Sequence, residues 1–374
     1  MHVTLNAHLL AAQVGYRAAG IHRYIDHLLG ELAAAAPGDW RFTAMVGSKN
    51  AQQYPGIHMR HASIDTESPI RRIIWEQLIQ PWSLPGCDLH HALAFVAPFV
   101  LPVPAVVTVY DLSFIHYPER LPGARRLYLT QTTRFTCQRA RRVIAISQST
   151  AQDVAESFNI PADKIDVAPP GCDLTHFRPL PMNEIMAFRR AHGLPERFWL
   201  FIGTLEPRKN LPMLLEAYAM LPRDERLPLI IGGDKGWDYD PIFTAVDRFS
   251  LANDVHFPGY VSAELLPLWY NAAEAFIYPS VFEGFGMPVL EAMACGTPVV
   301  VSDASSLPEV AGEAGLCVPP HDVEAWSGAL RQIYLDETWR TQAREMGMKR
   351  ATLFTWRATA DATIASYRRA LNLV

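Results

Sequence analysis

The chain has 374 residues, more than one hydrophobic core usually serves, so two domains of roughly 180 residues are expected. Its 49% hydrophobic content argues against disorder, and its net charge of −5 argues against nucleic acid as the main partner. No apolar run reaches the roughly 18 residues of a membrane span, and residues 1–8 lack the basic start and apolar core of a signal peptide, so a cytoplasmic protein is expected.

In chain order, residues 3–7 read as a strand, followed by a loop at 12–20 and a helix in which Ile21, Tyr24, Ile25, Leu28, Leu29 and Leu32 repeat at helical spacing. Strand, glycine-containing loop and helix compose a dinucleotide-type unit, although Gly15 and Gly20 do not spell GxGxxG. Gly20 serves either a phosphate or close packing of the helix start. Apolar runs at 42–46, 105–109 and 143–146, with helical patterns at 72–80 and 125–139 between them, predict a parallel sheet covered on both faces. His90 and His91 would point to opposite faces of any strand that carries them. Ser147 is expected to cap a helix running to Phe158, and 164–168 is the next strand.

Residues 169–181 are rich in proline and aperiodic, as an interdomain linker would be. The boundary is placed at residue 178, giving domains 1–178 and 179–355. Strands at 199–203, 228–231, 255–257, 275–278 and 298–301, each followed by a helical pattern, predict a second Rossmann-like half of an α/β protein. Residues 356–374 hold an amphipathic helix with no strand after it, which is expected to pack back on the first domain.

The stretch Glu283-Gly-Phe-Gly-Met-Pro-Val-Leu-Glu291 lies between an apolar run and a helix opening at Pro288. Proline suits a first helical turn, so Phe285, Gly286 and Met287 should aim amides at whatever lies in front, between two carboxylates. Such a mouth suits a hydroxyl-bearing phosphate compound. Arg208 and Lys209 end the loop after the 199–203 strand, on the rim where parallel sheets collect ligands, and fixed cations there would stabilise a departing phosphate without a metal.

Other chemistry is weaker. Five scattered cysteines without a CxxC pair, and thirteen histidines without HExxH, indicate neither a disulfide framework nor a metal ligand set. Asp238-Tyr239-Asp240 has the DxD form of a metal site, but it precedes a helix start, where carboxylates are common for dipole reasons. Seven arginines and no acid between residues 120 and 152 make 120–142 a candidate contact for an anionic acceptor or membrane surface.

Gly203-Thr-Leu-Glu-Pro-Arg-Lys-Asn210, Tyr278-Pro-Ser-Val-Phe-Glu-Gly-Phe-Gly-Met-Pro288, the Glu283 and Glu291 pair, Gly296-Thr-Pro-Val-Val300 and Ser306-Leu-Pro-Glu309 resemble the retaining nucleotide-sugar glycosyltransferases of family 4. So do Trp75-Glu-Gln-Leu, Val109-Tyr-Asp-Leu-Ser-Phe114, Ala145-Ile-Ser147 and Pro170-Gly-Cys-Asp173 in the first half. The resemblance implies a GT-B fold, two Rossmann-like domains facing across a cleft, with a nucleoside diphosphate sugar held by the second and a glycan or lipid-linked acceptor by the first. It leans toward bacterial mannosyltransferases of polysaccharide assembly using GDP-mannose, without cofactor or metal. It assigns donor sugar hydroxyls to Glu283, ribose to Glu291 and diphosphate to Arg208 and Lys209 with the amides near Gly20 and Gly286, and it puts Gly203 among the donor-binding residues. Tyr260 and Val261 would meet the base, and Tyr110 and Asp111 would lie on the acceptor side. Two positions depart from the pattern. Tyr110 stands where many members have His facing the reacting sugar, so a phenol or backbone carbonyl must serve there. Thr204 stands where many have Arg, which leaves Arg208 as the second cation.

A GT-B protein that binds a nucleotide or glycan without catalysis is the alternative that Tyr110 suggests. A nicotinamide-dependent oxidoreductase would explain the Rossmann pattern but not Arg208, Lys209, Glu283 and Glu291.

Overall fold

The computed structural model describes residues 1–10, 19–47, 52–66, 68–84 and 86–373. Most of the expected loop at 12–20, Gly15 included, lies outside the described residues. The chain divides into two units, Met1–Gly171 with Thr355–Val374, and Cys172–Phe354.

The first unit is built on seven parallel strands, β1 (His2–Asn6), β2 (Arg41–Val46), β3 (Ile57–His61), β4 (Leu89–Ala92), β5 (Ala105–Val109), β6 (Arg142–Ala145) and β7 (Ile165–Val167), in the order β3-β2-β1-β4-β5-β6-β7. The second has six, β8 (Trp199–Ile202), β9 (Leu229–Gly232), β10 (Val255–Gly259), β11 (Ala275–Tyr278), β12 (Val299–Ser302) and β13 (Leu316–Val318), in the order β10-β9-β8-β11-β12-β13. Both are Rossmann orders. Strand sequence reverses once in each, between β1 and β4 and between β8 and β11. Connections leave in opposite directions at a reversal, opening a crevice at the carboxyl ends of the two strands.

Three strands go beyond the apolar runs. β3 is an edge strand with only Ile57 buried, so it carries little hydrophobic signal. β13 is the short opposite edge of the second sheet. β4 is fully buried but reads Leu-His-His-Ala, and its polar side chains are accommodated by hydrogen bonds. His90 Nδ1 meets Thr4 Oγ1 at 3.0 Å, while His91 bonds Thr108 Oγ1 at 2.8 Å and the Tyr367 hydroxyl at 2.6 Å.

Tyr367 belongs to the C-terminal helix Trp356–Ala370, which is part of the first unit. Thr355 caps it by accepting from Ala358 N, Thr359 donates to the Pro169 carbonyl, and Ser366 and Arg369 both reach Asp166. Gly171 is obligatory beside this helix, because a Cβ there would lie 2.1 Å from the Trp356 amide nitrogen. The proline-rich segment that follows is tied to the second unit. Cys172 N donates to Phe354 O, Leu180 N to Asn271 Oδ1, and Asn271 Nδ2 to Arg178 O. Ser147 caps the helix Gln148–Phe158 through Thr150 N at 2.9 Å. No helix among the described residues is long and apolar enough to cross a membrane.

Burial lowers His90 to about 4 and His91, which also has His90 as a neighbour, to about 3. Unfolded histidine titrates near 6.5, so below that pH the unfolded chain binds protons that the fold refuses, and stability falls with pH. Each histidine contributes about 2 kcal/mol of loss between pH 7 and pH 5. Denaturant unfolding at the two pH values should show this loss, and H91N should shrink it although it lowers stability at both.

Candidate active site

β8 and β11 are neighbours at the reversal of the second sheet, so the loops that leave them run side by side. After β8 the chain makes a short 3-10 turn at Pro207–Lys209, and Asn210, in the left-handed region at φ 56°, starts the next helix. After β11 it forms the stretch 279–286. Val281 N and the Ser280 hydroxyl donate to the Arg208 carbonyl at 2.9 and 3.2 Å, which fixes one loop to the other.

Glu283 lies at the centre. Its Oε1 accepts from Lys209 Nζ and from the Ser280 hydroxyl, each at 2.5 Å, and its Oε2 accepts from Arg208 Nη1 at 2.9 Å. Arg208 also donates to the Phe282 carbonyl at 3.0 Å and pairs through Nε with Glu206 Oε1 at 2.5 Å. Lys209 donates to the Tyr278 hydroxyl at 2.6 Å. Lys209 is 3% exposed, Glu206 4% and Glu283 9%, so these charges meet in a weakly screened setting. Burial works to raise the Glu283 carboxyl, but Arg208 and then Lys209 outweigh it and hold it at about 2. Burial, with Arg208 alongside, lowers the Lys209 ammonium to about 8 against the pull of Glu283. Burial and the Glu283 charge push Tyr278 well above the ordinary phenol value.

The loop that carries Glu283 is held from behind by three serines. Ser302 donates to the Ser280 carbonyl, Ser305 to the Glu283 carbonyl at 2.6 Å, and Ser306 lies 2.7 Å from the Phe285 carbonyl. Ser305 also accepts from Glu283 N at 3.1 Å. Gly286 turns the chain into the helix Met287–Ala294 at φ 112°, and a Cβ there would lie 2.8 Å from Leu307, so only glycine fits. Among the described residues no hydrogen bond engages the N–H of Phe285, Gly286 or Met287, as expected for a helix start with proline next.

Other expected residues have separate surroundings. Glu291 is 2% exposed on that helix and accepts from the Tyr270 hydroxyl at 3.0 Å. Gly203 follows β8 beside Lys209; a Cβ on Gly203 would lie 3.6 Å from Lys209 Cε, and one on Gly233 1.9 Å from the Gly203 carbonyl oxygen. Val261 packs beside Gly232, whose added Cβ would come within 2.9 Å of it, while Tyr260 is 62% exposed. Gly20 is exposed at the start of the helix Ala19–Ala35, and a Cβ there would meet nothing within 4 Å among the described residues. Asp240 falls in the first turn of the helix Asp240–Arg248, and no group of three or more His, Cys, Asp or Glu among the described residues is arranged to hold a metal ion.

In the first unit Asp111 Oδ1 accepts from Ser113 N at 2.9 Å, a local turn bond. Tyr110 is buried in the core. Its hydroxyl donates to the Leu93 carbonyl at 2.8 Å, and its ring meets the edge of Tyr24 at 5.2 Å. Within 120–142, Arg142 is committed to Asp166, Arg120 to Ser113 and Arg126 to the Pro118 carbonyl, while Arg125, Arg134, Arg139 and Arg141 are exposed. Glu206, Tyr278, Ser280 and Ser305 complete the cluster without having been singled out from sequence. Glu206 stands inside the Glu-Pro-Arg-Lys run, which was the available signal.

Residues 184–350 match the family model described as Glycosyl transferases group 1, and residues 19–176 the model described as Glycosyltransferase Family 4. The O-antigen chain mannosyltransferase B of Escherichia coli is 36% identical over 293 residues, 77% of this chain and 77% of that one. Sucrose-phosphate synthase from Thermosynechococcus elongatus has the same fold, with a TM-score of 0.76 at 22% identity over 100% of both chains. Anabaena HepE, solved with UDP and glucose, gives a TM-score of 0.74 at 19% identity over 98% of this chain and 99% of that one. With two Rossmann-ordered units and both family models matched, the chain belongs to glycosyltransferase family 4, whose members are retaining glycosyltransferases of GT-B fold.

Proposed function

We propose that this glycosyltransferase moves mannose from GDP-mannose to an acceptor hydroxyl in polysaccharide or glycolipid assembly. The second unit binds the donor and the first the acceptor. The observation that carries the reading is the buried Glu283, Arg208 and Lys209 cluster at the β8 and β11 reversal, where carboxylate and cations share one crevice. Mannose as the transferred sugar is supported by the Escherichia coli mannosyltransferase relative.

In this reading Glu283 accepts hydrogen bonds from donor sugar hydroxyls and Glu291 from the ribose. The base lies against Tyr260 and Val261. Amides at Gly20, Gly203, Phe285, Gly286 and Met287 join Arg208 and Lys209 on the diphosphate. As the bond from the anomeric carbon to phosphate oxygen breaks, negative charge grows on the diphosphate, where fixed cations are most effective. The acceptor oxygen then bonds the same carbon on the face the diphosphate leaves, and its proton passes to a phosphate oxygen, so no protein nucleophile is needed. Tyr110 favours the rival reading of a binding protein without transfer, because its phenol proton is committed to Leu93.

A screen of thermal shift and hydrolysis against GDP-mannose, UDP-glucose, UDP-galactose, UDP-N-acetylglucosamine and dTDP-rhamnose decides between them. GDP-mannose should stabilise the protein and be slowly hydrolysed; tight binding without hydrolysis across the panel would select the silent protein. K209A should lower kcat on the accepted donor roughly 10²- to 10³-fold, and unchanged turnover would sink the charge-stabilisation argument.

Because Lys209 is charged below about 8 and neutral above it, kcat/KM for the donor should fall as pH rises through that value. K209R, which stays charged, should move the falling limb upward in whatever activity it retains.

Contact with an anionic membrane through 120–142 belongs to this reading. Exposed Arg125, Arg134, Arg139 and Arg141 supply charge there. Apolar residues recur every four positions at Ile70, Ile74, Leu78 and Trp82, with exposures of 71, 44, 64 and 85%, and Ile70 lines the same cavity as Arg125. The protein should cosediment with phosphatidylglycerol vesicles and not with phosphatidylcholine vesicles. L78E/W82E should cut the bound fraction about tenfold, and equal binding of the double variant would count against the contact.

A further inference from the structure

The reversal of the first sheet, between β1 and β4, also opens a crevice, and it is not empty of chemistry. A cavity of about 300 Å³ lies there, lined by Asn6 at the end of β1, Phe95 after β4, Arg72, Ile73 and Glu76 from the helical segment between β3 and β4, and Tyr128 from the helix Gly123–Arg139. Its size is at the lower end for small-molecule sites. Apolar lining comes from Phe95 and Ile73. Polar lining comes from the Asn6 amide, the Glu76 carboxyl, the Tyr128 phenol and the guanidinium groups of Arg72 and Arg125, the latter exposed.

Several features mark the cavity as a binding site rather than a packing gap. Asn6, 7% exposed, donates through Nδ2 to Glu76 Oε1 at 3.2 Å across 70 residues of sequence. The Tyr128 hydroxyl is buried and has no hydrogen-bond partner among the described residues, which is costly unless a ligand or water supplies one. Glu76 stands on a π-helical turn, Trp75–Ile79, a rare irregularity that concentrates at functional sites. Trp75 anchors that turn in the core, its ring 4.1 Å from that of His8. Phe95 holds a left-handed backbone at φ 57°, a strained state for a residue with a large side chain. Burial raises the Glu76 carboxyl to about 6, against the opposing pull of Arg72 and Asn6.

Apolar side chains sharing a cavity with a carboxyl, an amide and an unsatisfied phenol are complementary to a single pyranose ring. Its C–H face lies on carbon, and its hydroxyls need paired donors and acceptors. We propose that this cavity holds the terminal sugar of the acceptor glycan, with Glu76 and Asn6 binding neighbouring hydroxyls and Tyr128 a third. The proposal rests on the reading of the first unit as the acceptor side, and it names the ligand as a neutral, hydroxyl-rich sugar. Arg72, at the edge of the same segment, balances the carboxylate.

The probes are the methyl pyranosides of mannose, glucose, galactose and N-acetylglucosamine, observed by saturation-transfer NMR on the full chain, with GDP-mannose hydrolysis measured in parallel without acceptor. At least one glycoside should bind the wild type, with an affinity reduced about tenfold or more in E76Q and in Y128F. I73W, which fills the cavity, should abolish binding. Hydrolysis and thermal unfolding should stay near wild type in Y128F, the least disruptive change. Glycoside binding unaffected by all three substitutions would overturn the site, and so would failure of the wild type to bind any of the four. Loss of the donor reading instead would appear as absent hydrolysis in the wild type, whatever the glycosides do.

Discussion

A carboxylate buried between two cations is the constraint on which the second unit depends. Taking an ion out of water costs several kcal/mol even after relaxation, and removing one partner of a buried pair costs about 3–5 kcal/mol. Glu283 is therefore stable as an ion only while Arg208 and Lys209 face it, and each cation only while Glu283 and Glu206 face them. The loops after β8 and β11 are consequently not independent. Backbone bonds from Ser280 and Val281 to the Arg208 carbonyl, the three serines behind Glu283, and Gly286 against Leu307 all hold a geometry whose purpose is electrostatic. The cations are held by protein groups, Glu206, Glu283 and the Tyr278 hydroxyl, and fixed charge of this kind is what lowers a barrier most.

The same strand order, used twice, creates two crevices with different contents. The one at β8 and β11 is ionic and tight. The one at β1 and β4 is part apolar and organised by a neutral amide holding a carboxyl whose charge burial disfavours. A diphosphate needs fixed cations, whereas a sugar ring needs a carbon face and a few directed hydrogen bonds. On the proposed reading the two units supply these separately.

Much of this was legible from sequence because strand ends in a parallel sheet are local features. Arg208, Lys209 and Glu283 each stand within a few residues of an apolar run, so their convergence followed from the α/β pattern, and the family resemblance covered both halves. What was not legible depends on partners far away in the chain. β4 escaped because its two histidines break the apolar signal, and their acceptability rests on Thr4, Thr108 and Tyr367. The commitment of the Tyr110 phenol to Leu93, and of Glu291 to Tyr270, is a matter of packing that no spacing encodes. Trp75-Glu-Gln-Leu was visible as a motif, yet nothing in it points to Asn6 or to the unsatisfied Tyr128.

Charge balance adds a last step. Glu206 and Glu283 carry two negative charges and Arg208 and Lys209 two positive ones, so the four together present no net charge to an arriving diphosphate. On the proposed reading, donor binding must then work by exchange. The cations turn part of their hydrogen bonding from Glu283 to phosphate oxygens, and the Glu283 oxygens released in this way accept from the sugar hydroxyls that arrive with the same molecule. Glu206 keeps Arg208 in place during the exchange, since their pairing does not involve Glu283. A nucleoside diphosphate without its sugar would offer the phosphate half of this exchange but no sugar hydroxyls, leaving Glu283 with the Ser280 hydroxyl in place of a full set of donors. On that reading the sugar hydroxyls favour the intact donor over its own leaving group, which brings more negative charge but no donors to replace those that Glu283 gave up.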